Sequence, residues 1–413
     1  MTRTNSSRVL RILVLPIALC VGCDKTDEMM IGAVLPLTGD SAIYGTAIQR
    51  GIDLAVEQLP GADSPENPGF TVTVRTEDSG SDPQQAAARL GDVYAAGATA
   101  AIGGVTSEEA LAMVPVADQT GNILLSPTAS SPRLSGISQN FFRIFPSATD
   151  EANTIARHML DAQQVTTIAV VYQDDAFGQG VNESMEEAYS GTIAGAIPFA
   201  VGDSDLSDVV SQVKELEAGA ETSEEEEGFG IYVAAIGDEL IRAIKALRQG
   251  GVDARIFTTS AIASPEVLDA LGEFGERVFF TQTVFDISGA EEPMASFARA
   301  YEAKYGQPAD FYAAHGYDAV MVLVEARQEA GSSLSSEMLK GMRALSNLPA
   351  TTGSIQFRET NDVQKFPRVS LVFNGEVTDY EEFMANRREM LRERREELER
   401  RMRELERRME NPG

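Results

Sequence analysis

An α/β protein of two doubly wound lobes with an added C-terminal helix is the fold class this sequence predicts. Three observations predict it. Strand-like runs alternate with helix-periodic segments from residue 30 onward, the alternation comes in two successive series, and a heptad-spaced charged segment begins at residue 380. With 413 residues, 43% of them hydrophobic, the chain has material for about two cores of ordinary size.

The first series reads as strands at 31–35, 70–75, 100–103 and 123–126, separated by helices at 47–59, 83–96 and 108–119. Such an order implies βαβ units and a mainly parallel sheet. A second series follows the run at 141–145. It has strands at 167–172, 192–199, 230–235 and 255–258, interleaved with helices at 180–189, 206–216 and 238–249. Helices return at 292–305, 310–330 and 335–345, followed by strand-like 354–357 and 369–373, so the C-terminal part is expected to revisit the first lobe. The acidic stretch 221–227 reads as a solvated loop and is assigned no chemistry. In the tail, Met384, Leu391, Leu398 and Leu405 recur seven apart, with Met402 and Met409 at complementary heptad positions. Arg388 and Arg395 sit at core-type positions of that seam. The tail is therefore expected to be an exposed helix, either packed weakly on a like helix or partner, or solvated and held by Glu/Arg pairs.

At the other end, Arg3, Arg8 and Arg11 precede an apolar run over 12–22 that is too short for the roughly 20 residues of a spanning helix. Residues 1–22 therefore read as a signal peptide. The segment Leu19-Cys20-Val21-Gly22-Cys23 resembles a lipobox, with Cys20 standing where leucine is usual. Cys23 is the expected lipidation site, which leaves no thiol pair for a disulfide. Asp24 after it resembles an inner-membrane retention signal. A formal net charge of −29 makes nucleic acid and anionic lipid poor partners for the body of the protein, since both reward clusters of Lys and Arg.

Catalytic and cofactor chemistry finds little footing. The two histidines, His158 and His315, lie far apart in helix-like runs, and neither has a triad partner or metal ligand at diagnostic spacing. No G-x-S-x-G elbow, P-loop or complete G-x-G-x-x-G occurs, so hydrolase, NTPase and dinucleotide readings weaken. Asp174, Asp175 and Asp238 read as helix-start caps rather than as catalytic acids. No enzyme activity, cofactor or metal is expected.

Binding chemistry collects in the turns after the first-lobe strands, where open α/β sheets place their ligands. Pro36-Leu37-Thr38-Gly39 leads to Tyr44-Gly45; Thr106 and Ser107 open a helix whose free N–H groups attract a carboxylate; and 127–132 is a hydroxyl-rich turn. Thr106 with Glu109 also spells a capping box, a purely structural device, and Ser/Thr/Pro turns are commonly just turns. The coincidence of these turns at one sheet edge is what points to a site.

At these residues the chain resembles the periplasmic leucine/isoleucine/valine-binding protein family, from about residue 30 to 373. The pieces that carry the resemblance are Ile31-Gly32-Ala33-Val34-Leu35-Pro36-Leu37-Thr38-Gly39, Tyr44-Gly45, Ile102-Gly103-Gly104 with Ser107, Ser126-Pro127-Thr128-Ala129-Ser130, Phe177-Gly178-Gln179-Gly180, Ser264-Pro265-Glu266 and Gly316-Tyr317-Asp318-Ala319. The resemblance implies a type I periplasmic binding protein fold, with two Rossmann-like lobes joined by three crossovers near 146–150, 281–286 and 356–366. The implied division is 30–147 with 284–357, then 148–283 with 358–379, then the tail 380–413.

It also implies a ligand carboxylate held by Ser107 and by the turn carrying Thr128, Ala129 and Ser130, with Tyr44 lining the side-chain pocket. Three second-lobe positions depart from the amino-acid pattern. Phe177 and Ile236 stand for tyrosines, and Ser260 stands for the acid that pairs with the ligand ammonium, leaving Glu266 or Asp238 as candidates to supply that charge. The expected ligand is a branched-chain amino acid or a related carboxylate or amide, captured by hinge closure and passed to the permease of an ABC importer. A ligand-sensing receptor with the same clamp is the alternative, and membrane contact is expected only through the lipid anchor.

Overall fold

The computed structural model describes residues 27–61, 64, 68–220, 228–283, 285 and 292–410. The expected leader, the Cys23 anchor, Asp24 and the acidic stretch 221–227 lie outside the described residues.

Strand β1 (Asp27–Leu35) is wholly buried from Ile31 onward, as a parallel strand covered by helices on both faces must be. It is followed by α1 (Ala42–Gln58), β2 (Phe70–Asp78), α2 (Pro83–Ala95), β3 (Ala100–Gly103), α3 (Ser107–Thr120), β4 (Ile123–Ser126) and β5 (Phe141–Arg143). The five strands form one parallel sheet in the order β2-β1-β3-β4-β5. The second series comprises α4 (Ala148–Asp161), β6 (Thr167–Gln173), α5 (Ala176–Ala188), β7 (Thr192–Phe199), α6 (Ser207–Gly219), β8 (Phe229–Ala234), α7 (Gly237–Gln249), β9 (Arg255–Thr258), α8 (Pro265–Leu271) and β10 (Phe279–Gln282). Its parallel strands are ordered β7-β6-β8-β9-β10, the same winding as the first sheet. Each lobe thus has a switch point, between β1 and β3 and between β6 and β8, where successive loops leave in opposite directions and open a crevice.

Three helices follow: α9 (Met294–Tyr305), α10 (Phe311–Ala330) and α11 (Ser335–Ala344). The last two pack into the core of the first sheet through Val320, Leu323, Met338 and Met342, so the chain does return there. Helix α10 is buried almost all round, and it crosses α1 at backbone contact. A Cβ on Gly51 would lie 1.8 Å from the Ala313 carbonyl oxygen, and one on Gly316 would lie 2.2 Å from that of Ile48. Only glycine permits this approach.

The chain then rejoins the second sheet through the antiparallel strands β11 (Arg368–Phe373) and β12 (Glu376–Asp379). The strand expected at 354–357 is not formed. That segment makes only the isolated bridges Leu348 to Ile355 and Phe357 to Val363, and Asp362 bridges to Arg143 at the edge of the first sheet.

Helix α12 (Tyr380–Glu410) is rooted by Tyr380 against His158 and Phe279, and by Phe383 against Phe373. Beyond that turn Leu391, Leu398, Met402 and Leu405 are exposed, while Glu/Arg pairs such as Arg395–Glu399 and Arg401–Glu397 run along the helix. None of the helices among the described residues is long and apolar enough to cross a membrane.

Candidate functional site

The two switch points face each other across a cavity that, with the solvent space open to it, spans about 460 Å³. All eight residues singled out in the sequence line it: Tyr44, Ser107, Thr128, Ala129 and Ser130 from the first lobe, and Phe177, Ile236 and Ser260 from the second. The lobes also touch across the cleft. The Tyr44 hydroxyl accepts the Gly237 N–H at 2.7 Å, and Arg133 pairs with Glu183 at 2.7 Å.

The first-lobe wall is a set of hydrogen-bond donors. Thr106 caps α3 by accepting the Glu109 N–H at 3.2 Å, with the Glu109 side chain closing the capping box, so the structural role read from the sequence is real. It leaves the N–H groups of Ser107 and Glu108, at the positive end of a fourteen-residue helix, without protein acceptors among the described residues. The Ser107 hydroxyl accepts the Ser131 N–H at 3.1 Å, which leaves its own proton free to donate. Thr128 differs. Its hydroxyl donates to the Val105 carbonyl at 2.7 Å, so toward a ligand that oxygen offers only lone pairs.

Behind this wall lies a residue that no sequence signal marked. Arg143 on β5 is fully buried and pairs with Asp362 at 2.6 Å, while its Nη1 donates to the carbonyls of Ala129 at 3.4 Å and Ser131 at 2.8 Å. A trans peptide sets its C=O and following N–H in opposite directions, so holding the Ala129 carbonyl on Arg143 turns the Ser130 N–H the other way. Arg143 therefore braces the turn against the third crossover.

The second-lobe wall sets Phe177, Ile236 and Ala261 beside Thr259, Ser260 and Glu151. Phe177 from α5 and Ile236 before α7 face Tyr44 and Tyr312, whose rings lie 4.7 Å apart. Burial raises the pKa of both hydroxyls, so both tyrosines are neutral.

One acid lines this wall, and it is neither candidate proposed from the sequence. Glu266 accepts from its neighbour Ser264 at 2.6 Å, Asp238 lies in the first turn of α7, and neither lines the cavity. Glu151 does. It is 1% exposed, and its Oε1 accepts from the hydroxyls of Ser260 at 3.0 Å and Thr281 at 3.3 Å. Burial pushes its pKa up to about 8, with the hydroxyl hydrogen bonds pulling the other way. The sequence did hold a signal: Ala148, Ala152, Ile155 and Met159 form the buried stripe of α4, and Glu151 sits on that stripe.

The groups with catalytic potential are otherwise engaged. Asp175 caps α5 through the Gly178 N–H at 2.8 Å, and Asp174 accepts from Gln179 at 2.9 Å. His158 packs on Tyr380, with its pKa pushed down to about 4 by burial. His315 is buried with its Nδ1 2.9 Å from the Phe311 carbonyl, and neither histidine lines the cavity. Among the described residues no three His, Cys, Asp or Glu side chains group as a metal site.

Two similarly wound lobes with facing switch points, and a cavity walled by both, define a clamp-type binding protein. A family model described as periplasmic binding protein matches residues 28–368, and the chain belongs to that family. It is 26% identical over 342 residues to Leu/Ile/Val-binding protein homolog 3 of Brucella melitensis, covering 81% of this chain and 89% of the relative. It is 22% identical over 345 residues to the leucine-, isoleucine-, valine-, threonine-, and alanine-binding protein of Pseudomonas aeruginosa, covering 82% and 88%. Among solved structures, the leucine-binding protein LivK of Thermotoga maritima superposes with a TM-score of 0.77 at 23% identity, over 85% of this chain and 97% of that one. A solute-binding protein of R. palustris in complex with benzoate gives 0.73 at 19% identity, over 86% and 95%. At such identities the structural likeness is one of fold.

Proposed function

We propose that this protein is an extracytoplasmic solute-binding lipoprotein, anchored through Cys23, that captures a small apolar molecule bearing a carboxylate or similar acceptor and presents it to the permease of an ABC importer. The observation that carries the reading is the convergence of Ser107 and Ser130 from one lobe with Phe177, Ile236 and Ser260 from the other on a single cavity. The α3 N-terminus and the Ser107 hydroxyl receive the acidic end, and the apolar surfaces of Tyr44, Phe177 and Ile236 receive the rest. Contacts to both lobes favour closure by their differential affinity for the closed arrangement, and rotation of one lobe toward the other about the crossovers is the motion expected. With the lobes divided as the resemblance implies, 30–147 with 284–357 against 148–283 with 358–379, a permease touching both tips would sense closure. The relatives named for Leu, Ile and Val binding and the neighbour holding benzoate both support a small carboxylate.

The exposed α12, rooted on the second lobe, favours a second reading in which closure is signalled to a protein partner instead. A thermal-shift screen of the proteinogenic amino acids, their 2-oxo acids and benzoate, followed by radiolabelled uptake of the best binder in cells lacking the gene, tests the proposal. Stabilisation together with lost uptake is expected. Stabilisation with unchanged uptake would move the assignment to the sensor.

A further inference from the structure

We infer that Glu151 is the cation acceptor of the cleft, taking the ligand's ammonium in exchange for a proton, so that ligand capture releases one proton to solvent. The inference rests on the proposed binding function and deepens it. The acid expected at Ser260 has not vanished from the site; a carboxyl reaches the same place from α4, and Ser260 hydrogen-bonds to it at 3.0 Å.

Geometry joins this group to the donor wall. The Ser130 carbonyl accepts the N–H of Ala148, the first residue of α4, at 2.7 Å. Glu151 lies three residues further on, about 4.5 Å along the helix and just short of one turn. The donor wall and the Glu151 carboxyl thus line one cavity, the arrangement that a carboxylate and an ammonium on one carbon require, and Thr128 Oγ1, with only lone pairs to offer, lines it too.

Charge points the same way. Among the described residues no Lys or Arg lines the cavity, and the adjoining mouth of the cleft carries Asp40, Glu108, Asp175 and Glu239 without a base. A ligand with a carboxylate alone would enter an acidic mouth and place two carboxyls in one closed space; a zwitterion gives each end its complement. The groups bearing on Glu151 are Asp150 on its own helix, Tyr232 on β8, Tyr312 on α10, and the hydroxyls of Ser260 and Thr281. None supplies a positive charge.

With its pKa near 8, the empty-site carboxyl holds a proton at neutral pH, and pairing with an ammonium drives that proton off. Affinity should then rise about tenfold per pH unit between pH 6 and 7.5 and level off above 8. The histidines do not titrate in that window, since burial lowers both. Lys365, pushed down to about 8, does, but it lies on Thr352 outside the cavity.

Calorimetry of the wild-type protein with each proteinogenic amino acid and its 2-oxo acid, in buffers of different ionisation heat, is the test. Expected are an apolar amino acid that binds with release of nearly one proton at pH 6.5, a 2-oxo acid at least roughly 30-fold weaker, and a similar loss with a flattened pH profile in Glu151→Gln. The double variant Glu151→Gln, Ser260→Glu should recover part of the affinity. Should Glu151→Gln fold poorly, the wild-type buffer heats decide alone. Amino-acid binding without proton release, or unchanged affinity in folded Glu151→Gln, overturns the assignment. Binding of 2-oxo acids or benzoate with no amino acid overturns it and leaves the clamp standing, whereas binding of neither set overturns both.

Discussion

The two walls of the cleft are built from different materials. The donor part of the first-lobe wall, beside the rings of Tyr44, Phe145 and Tyr312, is mostly backbone and helix terminus: N–H groups at the start of α3, a turn whose carbonyls are held from behind, and one serine hydroxyl kept free to donate. The second-lobe wall is side chains: Phe177, Ile236, Ser260 and Glu151. A backbone donor stays in place as long as the turn keeps its shape, whichever residues surround it. A side-chain charge can be delivered from any neighbouring element that reaches the same point. That difference explains why the motif resemblance carries over well at one wall and loses its acid at the other, with Glu151 beside the position where the resemblance leads one to expect it.

The largest effect on this contrast should come from Arg143, which fixes the backbone wall. Arg143→Met strands the buried Asp362 carboxylate and should cost roughly 3–5 kcal/mol in urea unfolding, since breaking a buried pair leaves an uncompensated charge. A loss under about 1 kcal/mol would mean that the turn holds itself and the brace is incidental.

Ser107→Ala tests the donor wall more gently. It should weaken binding of the best ligand by about 1.5–3 kcal/mol, the range for a hydrogen bond to a charged group, with little change in folding stability. If Ser107 serves only to accept the Ser131 N–H, stability would fall and affinity would follow it.

The side-chain wall should respond to pH in the opposite sense from an ordinary paired carboxylate. Because the folded-state pKa of Glu151 is raised from 4.5 to about 8, the folded protein binds more protons than the unfolded chain between those values, and ligand-free stability falls as pH rises through them. Glu151→Gln should therefore raise the unfolding midpoint of the ligand-free protein at pH 8 and leave it nearly unchanged at pH 4.5, read by calorimetric scanning. A midpoint lowered at pH 8 would show that the carboxylate is a structural partner and not a held-back charge.

The smallest effect is expected from the tail. Cutting the chain after residue 384 removes the exposed part of α12 while keeping Tyr380 and Phe383, so ligand affinity should change by less than about 0.5 kcal/mol. A larger loss would tie α12 to the lobes and bring the two walls under its influence.

Much of this was legible in the sequence, because both lobes rest on strand–helix alternation and their switch points follow from winding. The donor wall was legible for the same reason: Ser107 and the 127–132 turn sit at strand ends. The rest was hidden by ambiguity between neighbours. Asp150 and Glu151 look alike in the first turn of a helix behind Ser147, yet Asp150 accepts from Ser147 and Arg358 while Glu151 turns inward. Only their positions against the apolar stripe distinguish them. Arg143 gave no sign, since an arginine ending a strand reads as an exposed edge. The β11–β12 hairpin was readable and missed: Asn374 and Gly375 both have positive φ, the two-residue turn that an Asn-Gly pair favours. In 354–357 the apolar pattern overstated what the crossover could pair with.

A crystal structure of the wild-type protein grown with the apolar amino acid that stabilises it most is the direct measurement of the central claim. The account predicts density between the lobes, with the carboxylate on Ser107 and the Ser130 N–H, the ammonium on Glu151, and the side chain against Phe177 and Ile236. A ligand bound outside the cleft, or bound with its ammonium away from Glu151, would contradict it.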